Sequence, residues 1–231
     1  MSGIRSLPAP RLLHPVSCFS MSASSSIQKL VIGTSNRKKG EELAELLAPW
    51  GIEVVALADL PEAIDVVEDG DSFAANAALK ATRQARHLGR WVLADDSGLE
   101  VDALGGRPGI LSARFAGPQA TDDENNRHLL AELGATPLDN RTARYVCHVT
   151  VADPTGAIRA ESHDTCRGRI LFEPHGSNGF GYDPLFEVVE YHRTFGQLGP
   201  RVKRALSHRS RALRGILPLL AQLASGERAT P

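Results

Sequence analysis

The first apolar cluster is Lys29-Leu-Val-Ile-Gly-Thr-Ser35, a short run that reads as a buried strand, with Asn36 following as a turn or helix cap. From about Lys38 to Ala48 the period becomes helical, and Leu43, Leu46 and Leu47 share one face. A second strand is predicted at Ile52 to Ala56, then an acidic loop, then a helix from about Ser72 to His87 with Phe73, Ala77 and Ala81 at four-residue spacing. Trp91 to Asp95 reads as the next strand, ending in Asp95-Asp96-Ser97-Gly98, residues typical of a turn. Gly105-Gly-Arg-Pro-Gly109 is a loop, and Thr121-Asp-Asp-Glu124 is a capping box opening a helix to about Leu133. Arg144 to Ala152 and Ala157 to Cys166 alternate as antiparallel strands around Asp153-Pro-Thr-Gly156. A glycine-rich aromatic stretch, Gly176 to Phe186, precedes a final helix from about Ser207 to Leu223, with Pro218 as an expected kink. Two βα units, a hairpin and no internal repeat predict an α/β fold: a mixed β-sheet flanked by helices, in two lobes with a central cleft.

Residues 1–26 are rich in Ser and Pro, contain Arg5 and Arg11 but no acid, and lack any sustained period, so a disordered extension is expected. Met21 offers an alternative start that would leave the first twenty residues upstream of the protein. The expected domain is then a single two-lobed unit over 27–226 with a tail at 227–231. Over the full 231 residues, 26 Lys and Arg face 27 Asp and Glu, and this net charge of −1 argues against a long nucleic-acid partner. No apolar run approaches the length of a transmembrane helix, which argues against a membrane span. Three cysteines without a CxxC pair, Cys18, Cys147 and Cys166, point to a reducing compartment, the cytoplasm by default.

The even total conceals two opposite blocks. Between Lys39 and Lys80 lie ten acidic residues and no basic one, whereas Tyr191 to Gly226 holds Arg193, Arg201, Lys203, Arg204, Arg209, Arg211 and Arg214 without a carboxylate. Two solvated surfaces would explain this, and so would a metal-holding side facing a phosphate-holding side.

Thr34-Ser35-Asn36-Arg37-Lys38-Lys39 stands at a strand-to-helix junction, where backbone N–H groups and the helix dipole favour an anion. It matches neither GxxxxGK[ST] nor GxGxxG, and a capped helix with a solvated first turn is the competing reading. Asp95 and Asp96 are adjacent, so on a strand their side chains point to opposite faces; one carboxylate is expected to face the cleft. Magnesium commonly takes one or two carboxylates together with water and phosphate oxygens, and Glu68 in the acidic loop is the natural second ligand. An Asx turn is the alternative for the Asp pair. In Gly179-Phe180-Gly181-Tyr182-Asp183 the glycines permit close approach of a ligand and an aromatic ring can stack on a planar base, although packing explains aromatics equally well. Lys203 and Ser207-His208-Arg209 add donors suited to phosphate or a base carbonyl, or a solvated basic face. Cys147, His148, His163, Cys166 and His175 fit no common zinc spacing.

Taken together, the chain resembles the inosine/xanthosine triphosphate pyrophosphatases, which remove deaminated purine nucleotides. The resemblance rests on an ordered set spanning about Leu30 to Leu220: Thr34 to Lys39 with Glu42, Phe73 to Lys80, Ala94 to Asp102, Gly105 to Ile110, Ser112 to Arg114, Gly179 to Pro184 and Ser207 to Arg209. It implies a two-lobed α/β fold with a central substrate cleft, a homodimer, Mg²⁺ as cofactor, and hydrolysis of ITP, dITP or XTP to the monophosphate and pyrophosphate. Carried over residue by residue, Thr34, Ser35, Asn36, Arg37, Lys38 and Lys39 would grip the phosphates. Asp96 would be metal ligand and proton acceptor, with Glu68 as second carboxylate and Ser97 contacting substrate. Phe180, Gly181, Tyr182, Asp183, Lys203, His208 and Arg209 would complete the pocket. Two departures stand out: Pro200-Arg-Val-Lys203 replaces two acids usual before the lysine, and Leu111 replaces an aromatic, expected as a packing change. A Maf-like pyrophosphatase of different base preference and a nucleotide-binding regulatory module without turnover are the competing readings.

Overall fold

The computed structural model describes Ile27 and residues 29–225. The extension 1–26, the alternative start at Met21, Cys18 and the tail 227–231 lie outside the described residues. One seven-stranded sheet organises the molecule, in the order β2-β1-β3-β4-β5-β6-β7. β1 (Lys29–Ile32) pairs in parallel with β2 (Glu53–Ala56) and with β3 (Trp91–Val101), the arrangement expected of βα units. β4 (Thr142–Ala152) and β5 (Ile158–Ile170) continue the sheet antiparallel, followed by the short β6 (Phe186–Val188) and β7 (Arg193–Thr194).

The first three helices start where side chains can satisfy free backbone N–H groups. Asn36 caps α1 (Arg37–Leu47), Ser72 caps α2 (Phe73–Leu88), and Thr121 with Glu124 forms the expected capping box of α3 (Asp122–Leu133). Before the last helix stands α4 (Pro200–Leu206), and the last helix itself forms where expected, as α5 (His208–Ser225); between them Ser207 is in extended backbone, and its hydroxyl accepts from Ser210 N at 3.2 Å. Pro218 lies inside α5. The strands β6 and β7 and the seven-residue α4 were not predicted, because two- and three-residue strands and a two-turn helix are too short to impose a period.

Two hydrophobic cores lie along the same long strands. In the first, Leu30, Ile32, Leu93, Val149 and Val151 pack under Leu43 and Leu47 of α1 and Leu213, Ile216 and Leu220 of α5. In the second, Leu99, Val101, Tyr145 and Phe186 pack under Leu129 and Leu133 of α3. A third, smaller cluster on the opposite sheet face packs Ala81 and Ala85 of α2 against Val31, Val92 and Ala94. Each buried Leu contributes roughly 1.5–3 kcal/mol, so the long strands are anchored on both sides of their midpoint.

That anchoring corrects the reading of Asp95-Asp96-Ser97-Gly98 as a turn. β3 runs unbroken through these residues, paired with Val149, His148, Cys147 and Val146 of β4. Its odd positions, Leu93, Leu99 and Val101, enter the first two cores, while Val92 and Ala94 enter the third. The polar residues occupy the interval between the first two cores.

Candidate active site

Asp95 and Asp96 project to opposite faces of β3 and enter different networks. Asp95 is fully buried; its Oδ2 accepts from Arg209 Nε at 3.2 Å and from Ser97 Oγ at 3.1 Å. Burial works against its charge, yet Lys39, Arg209 and Lys80 together hold the carboxyl well below the ordinary range. Arg209, also buried, donates through its remaining nitrogens to Glu42 and, at 2.8 Å, to Ser97 Oγ. This planar fork is fixed by three separate partners.

On the other face, Asp96 accepts from Asn76 Nδ2 at 3.2 Å and from Lys80 Nζ at 3.3 Å. The same ammonium donates to Glu68 at 2.9 Å, so it holds two carboxylates from distant parts of the chain together. Burial pushes Asp96 above its ordinary value against the opposing pull of Lys80 and Lys39, and Glu68 and Asp95 push it further. Among the described residues no three acidic, His or Cys side chains converge on one point. Two hard oxygen donors held within reach of one cation nevertheless suit Mg²⁺, which completes its shell with water and substrate phosphate.

A cleft on the Asp95 side of the sheet is lined by Asn36, Lys39, Ser97, Tyr145, Phe180, Tyr182, Asp183, Lys203, His208 and Arg209, among others. His208 is buried and stacks on Tyr145 with ring centroids 4.7 Å apart and planes 8° from parallel. Burial, then Arg209 and Lys203, push its pKa well below the usual value, so the ring is neutral, and its Nδ1 has no partner among the described residues. Asp183 Oδ2 accepts from Lys203 Nζ at 2.7 Å and Phe180 N at 2.8 Å. Gly179 permits this turn: its φ is +78°, and a Cβ there would collide with the Asp183 carboxylate. The Phe180 ring consequently sits over the pocket, 4.5 Å from Lys203 Nζ and 5.8 Å from the Arg209 guanidinium. Tyr182 OH donates to Ser112 O at 2.8 Å and ties this loop to the 3-10 turn Gly109–Arg114.

The segment Thr34 to Lys39 divides its tasks. Asn36 and Lys39 line the cleft, with Lys39 Nζ 3.4 Å from Ser97 O, whereas buried Thr34 accepts from Asn36 N at 3.2 Å. Ser35 and Arg37 are exposed, and Arg37 pairs with Glu41 at 2.8 Å on the outer face of α1. Lys38 instead reaches Asp122 of α3 at 3.1 Å, and Asp122 also accepts from Gly181 N at 3.0 Å. Ser97, Phe180, Gly181, Tyr182, Asp183, Lys203, His208 and Arg209 line the cleft, whereas Asp96 and Glu68 meet at Lys80 on the other face of β3 and do not line it.

Nothing in the sequence pattern alone assigns a role to Lys80, Asn76 or Tyr145, whereas the internal pairing of Asp95 is what two adjacent carboxylates on one strand lead one to expect of the second. A signal existed for the first two: Asn76, Lys80 and Gln84 are buried at four-residue intervals along α2, a polar stripe beside its alanine face. The picture of acidic and basic blocks facing one another across a site is also corrected. Glu42 pairs with Lys203 at 3.4 Å and with Arg209, and Glu45 pairs with Arg204 at 3.3 Å, so the blocks meet directly. At the departures, Arg201 is exposed and Val202 packs against the second core, leaving the charge environment of Lys203 to Glu42 and Asp183. Leu111 is 45% exposed, so the replacement of an aromatic there alters a surface and not the core.

The profile of the Ham1 family matches residues 30–219. A protein of Rhodopirellula baltica named dITP/XTP pyrophosphatase is 56% identical over 194 residues, covering 84% of this chain and 93% of that protein. One of the same name from Desulforamulus reducens is 49% identical and covers 84% of this chain and 96% of its own length. Among solved structures, a HAM1 protein from Coxiella burnetii superimposes with a TM-score of 0.76 at 36% identity, covering 84% of this chain and 98% of that one. The Ham1 protein of Staphylococcus aureus gives a TM-score of 0.74 at 37% identity, covering 83% and 97%. With its mixed sheet, its paired carboxylates at the middle of β3 and this extent of similarity, the chain belongs to the Ham1 family.

Proposed function

We propose that this chain hydrolyses deaminated purine nucleoside triphosphates, ITP, dITP and XTP, to the monophosphate and pyrophosphate, with Mg²⁺ held by Asp96 and Glu68. The observation that carries the reading is that the carboxylate pair at Asp96 and Glu68 stands on one face of β3, while the next residue, Ser97, lines the cleft carrying Arg209 and His208 on the other. The ion's contribution when bound is charge neutralisation at the phosphate oxygens. Asp96, raised by burial and steadied by Asn76 and Lys80, accepts the proton of the attacking water. Lys39, which makes no ion pair among the described residues, offsets charge on the leaving pyrophosphate. Lys203 is already neutralised by Asp183 and Glu42 and serves more to hold the Phe180 loop.

Base selection follows from hydrogen-bond polarity. A 6-oxo group accepts from Arg209 or His208, whereas the 6-amino group of adenine would leave those donors unpaired. A homodimer is proposed from the family resemblance alone. A cytoplasmic setting is supported by the two described cysteines, Cys147 and Cys166, which are buried and unlinked.

Asp96→Asn tests the chemistry. The variant should retain its circular dichroism spectrum and lose about 100-fold or more in kcat, the scale of a general base. Turnover near that of the wild type would overturn the assignment. A regulatory module would show nucleotide binding without turnover in the wild type, and a Maf-like enzyme would prefer other bases.

A further inference from the structure

One row of side chains crosses three strands on the α2 face of the sheet. Asp96 of β3 stands opposite His148 of β4, which stands opposite His163 of β5. The Asp96 end belongs to the candidate active site; the histidine end has no part in the proposed reaction. The two imidazoles are stacked, with centroids 5.0 Å apart and planes 10° from parallel. Both are partly exposed on the wall of an open groove that also includes Phe73, Val146 and Thr165.

We propose that His148 and His163 form a two-imidazole seat for a borderline divalent transition metal, Cu²⁺, Ni²⁺ or Zn²⁺, separate from the carboxylate pair at Asp96 and Glu68. Directly opposed residues on antiparallel strands have Cβ atoms about 5 Å apart, which allows two side chains to converge on one ion. Rotation of the stacked rings would bring a nitrogen of each to the metal–nitrogen distance of about 2.0–2.1 Å. The long strands on either side hold the pair in register through both cores, so little order has to be created on binding.

The seat rests on the two rings themselves. Two neighbouring carboxylates are already paired, Asp96 with Lys80 at 3.3 Å and Glu100 with Arg144 at 2.6 Å. The cysteines flanking the pair in sequence do not take part, since Cys147 is buried in the first core and Cys166 in the second. With two protein ligands, water completes the shell, and binding is readily exchangeable. Ligand type separates the two positions: carboxylate oxygens suit Mg²⁺, while imidazoles suit Cu²⁺, Ni²⁺ and Zn²⁺.

The test is a Cu²⁺ titration of the full chain, freed of metal by a chelator, followed by calorimetry and electron paramagnetic resonance. Cu²⁺ is the strongest probe because it stands highest in the divalent affinity order. The expected result is a site with a two-nitrogen signature, weakened at least tenfold in His163→Gln and in His148→Gln. Thermal melts would confirm that both variants fold. Asp96→Asn and a large excess of Mg²⁺ should leave the site intact. Equal binding by the wild type and both histidine variants would overturn the proposal. Loss of the site in Asp96→Asn, or displacement by Mg²⁺, would also overturn it, by placing the ion among the active-site carboxylates.

Discussion

Arg209, only 2% exposed, contacts Asp95, Glu42 and Ser97, so its removal takes the direct ion-pair partner from the fully buried Asp95 carboxylate, while Glu42 keeps Lys203. Arg209→Met should therefore cost about 3–5 kcal/mol in a denaturant titration. Arg209→Lys keeps the charge but loses the fork, and it should remain folded while the KM for ITP rises more than kcat falls. His208 supplies a pH dependence. Its folded pKa lies well below 6.5, so below about pH 6.5 the unfolded chain takes up a proton that the folded chain refuses. Stability then falls as pH drops, by at most ~1.4 kcal/mol per pH unit for this group. Melting curves between pH 7 and 5 should show a smaller decline in His208→Gln than in the wild type. The residue types around the cleft were readable because hydroxyls, lysines and glycines cluster in short segments. The tertiary partners were not: nothing local in Asp95 announces that its counter-charge is Arg209, 114 positions away.

At the scale of elements, α1, α2 and α3 were legible because each combines an apolar stripe with a capping side chain, Asn36, Ser72 or Thr121. β3 was legible only in its first half. Asp, Ser and Gly carry a strong local turn preference, and the preference loses here because apolar residues on both sides are packed into separate cores. Gly98 is part of that continuity. A Cβ at this position would press on Ser112 Oγ, the carbonyl of Gly109 and the Phe73 ring. Gly98→Ala is accordingly expected to lower stability by about 1–3 kcal/mol, measured as a shift in denaturant midpoint without change in slope. A wild-type midpoint in this variant would mean that the Gly109 loop does not close on β3 as described.

For the molecule as a whole, the α/β class and the ordered motifs were visible in the chain, and the meeting of acidic and basic blocks was visible only as composition. Their contact joins α1 to α4 and α5 on one flank of the cleft, while Lys38 and Asp122 join α1 to α3 across it. Among the described residues no helix is long and apolar enough to cross a membrane. In the proposed reaction this scaffold turns a 6-oxopurine nucleotide toward Asp96 and releases pyrophosphate. The most direct measurement incubates the purified chain with ITP, XTP, dITP, ATP, GTP and dTTP, with and without Mg²⁺, and quantifies pyrophosphate and orthophosphate separately. Pyrophosphate is expected from ITP, XTP and dITP, only with Mg²⁺, with kcat/KM at least tenfold lower for ATP and dTTP; orthophosphate as the sole product, or equal rates on ITP and ATP, would refute the proposed reaction.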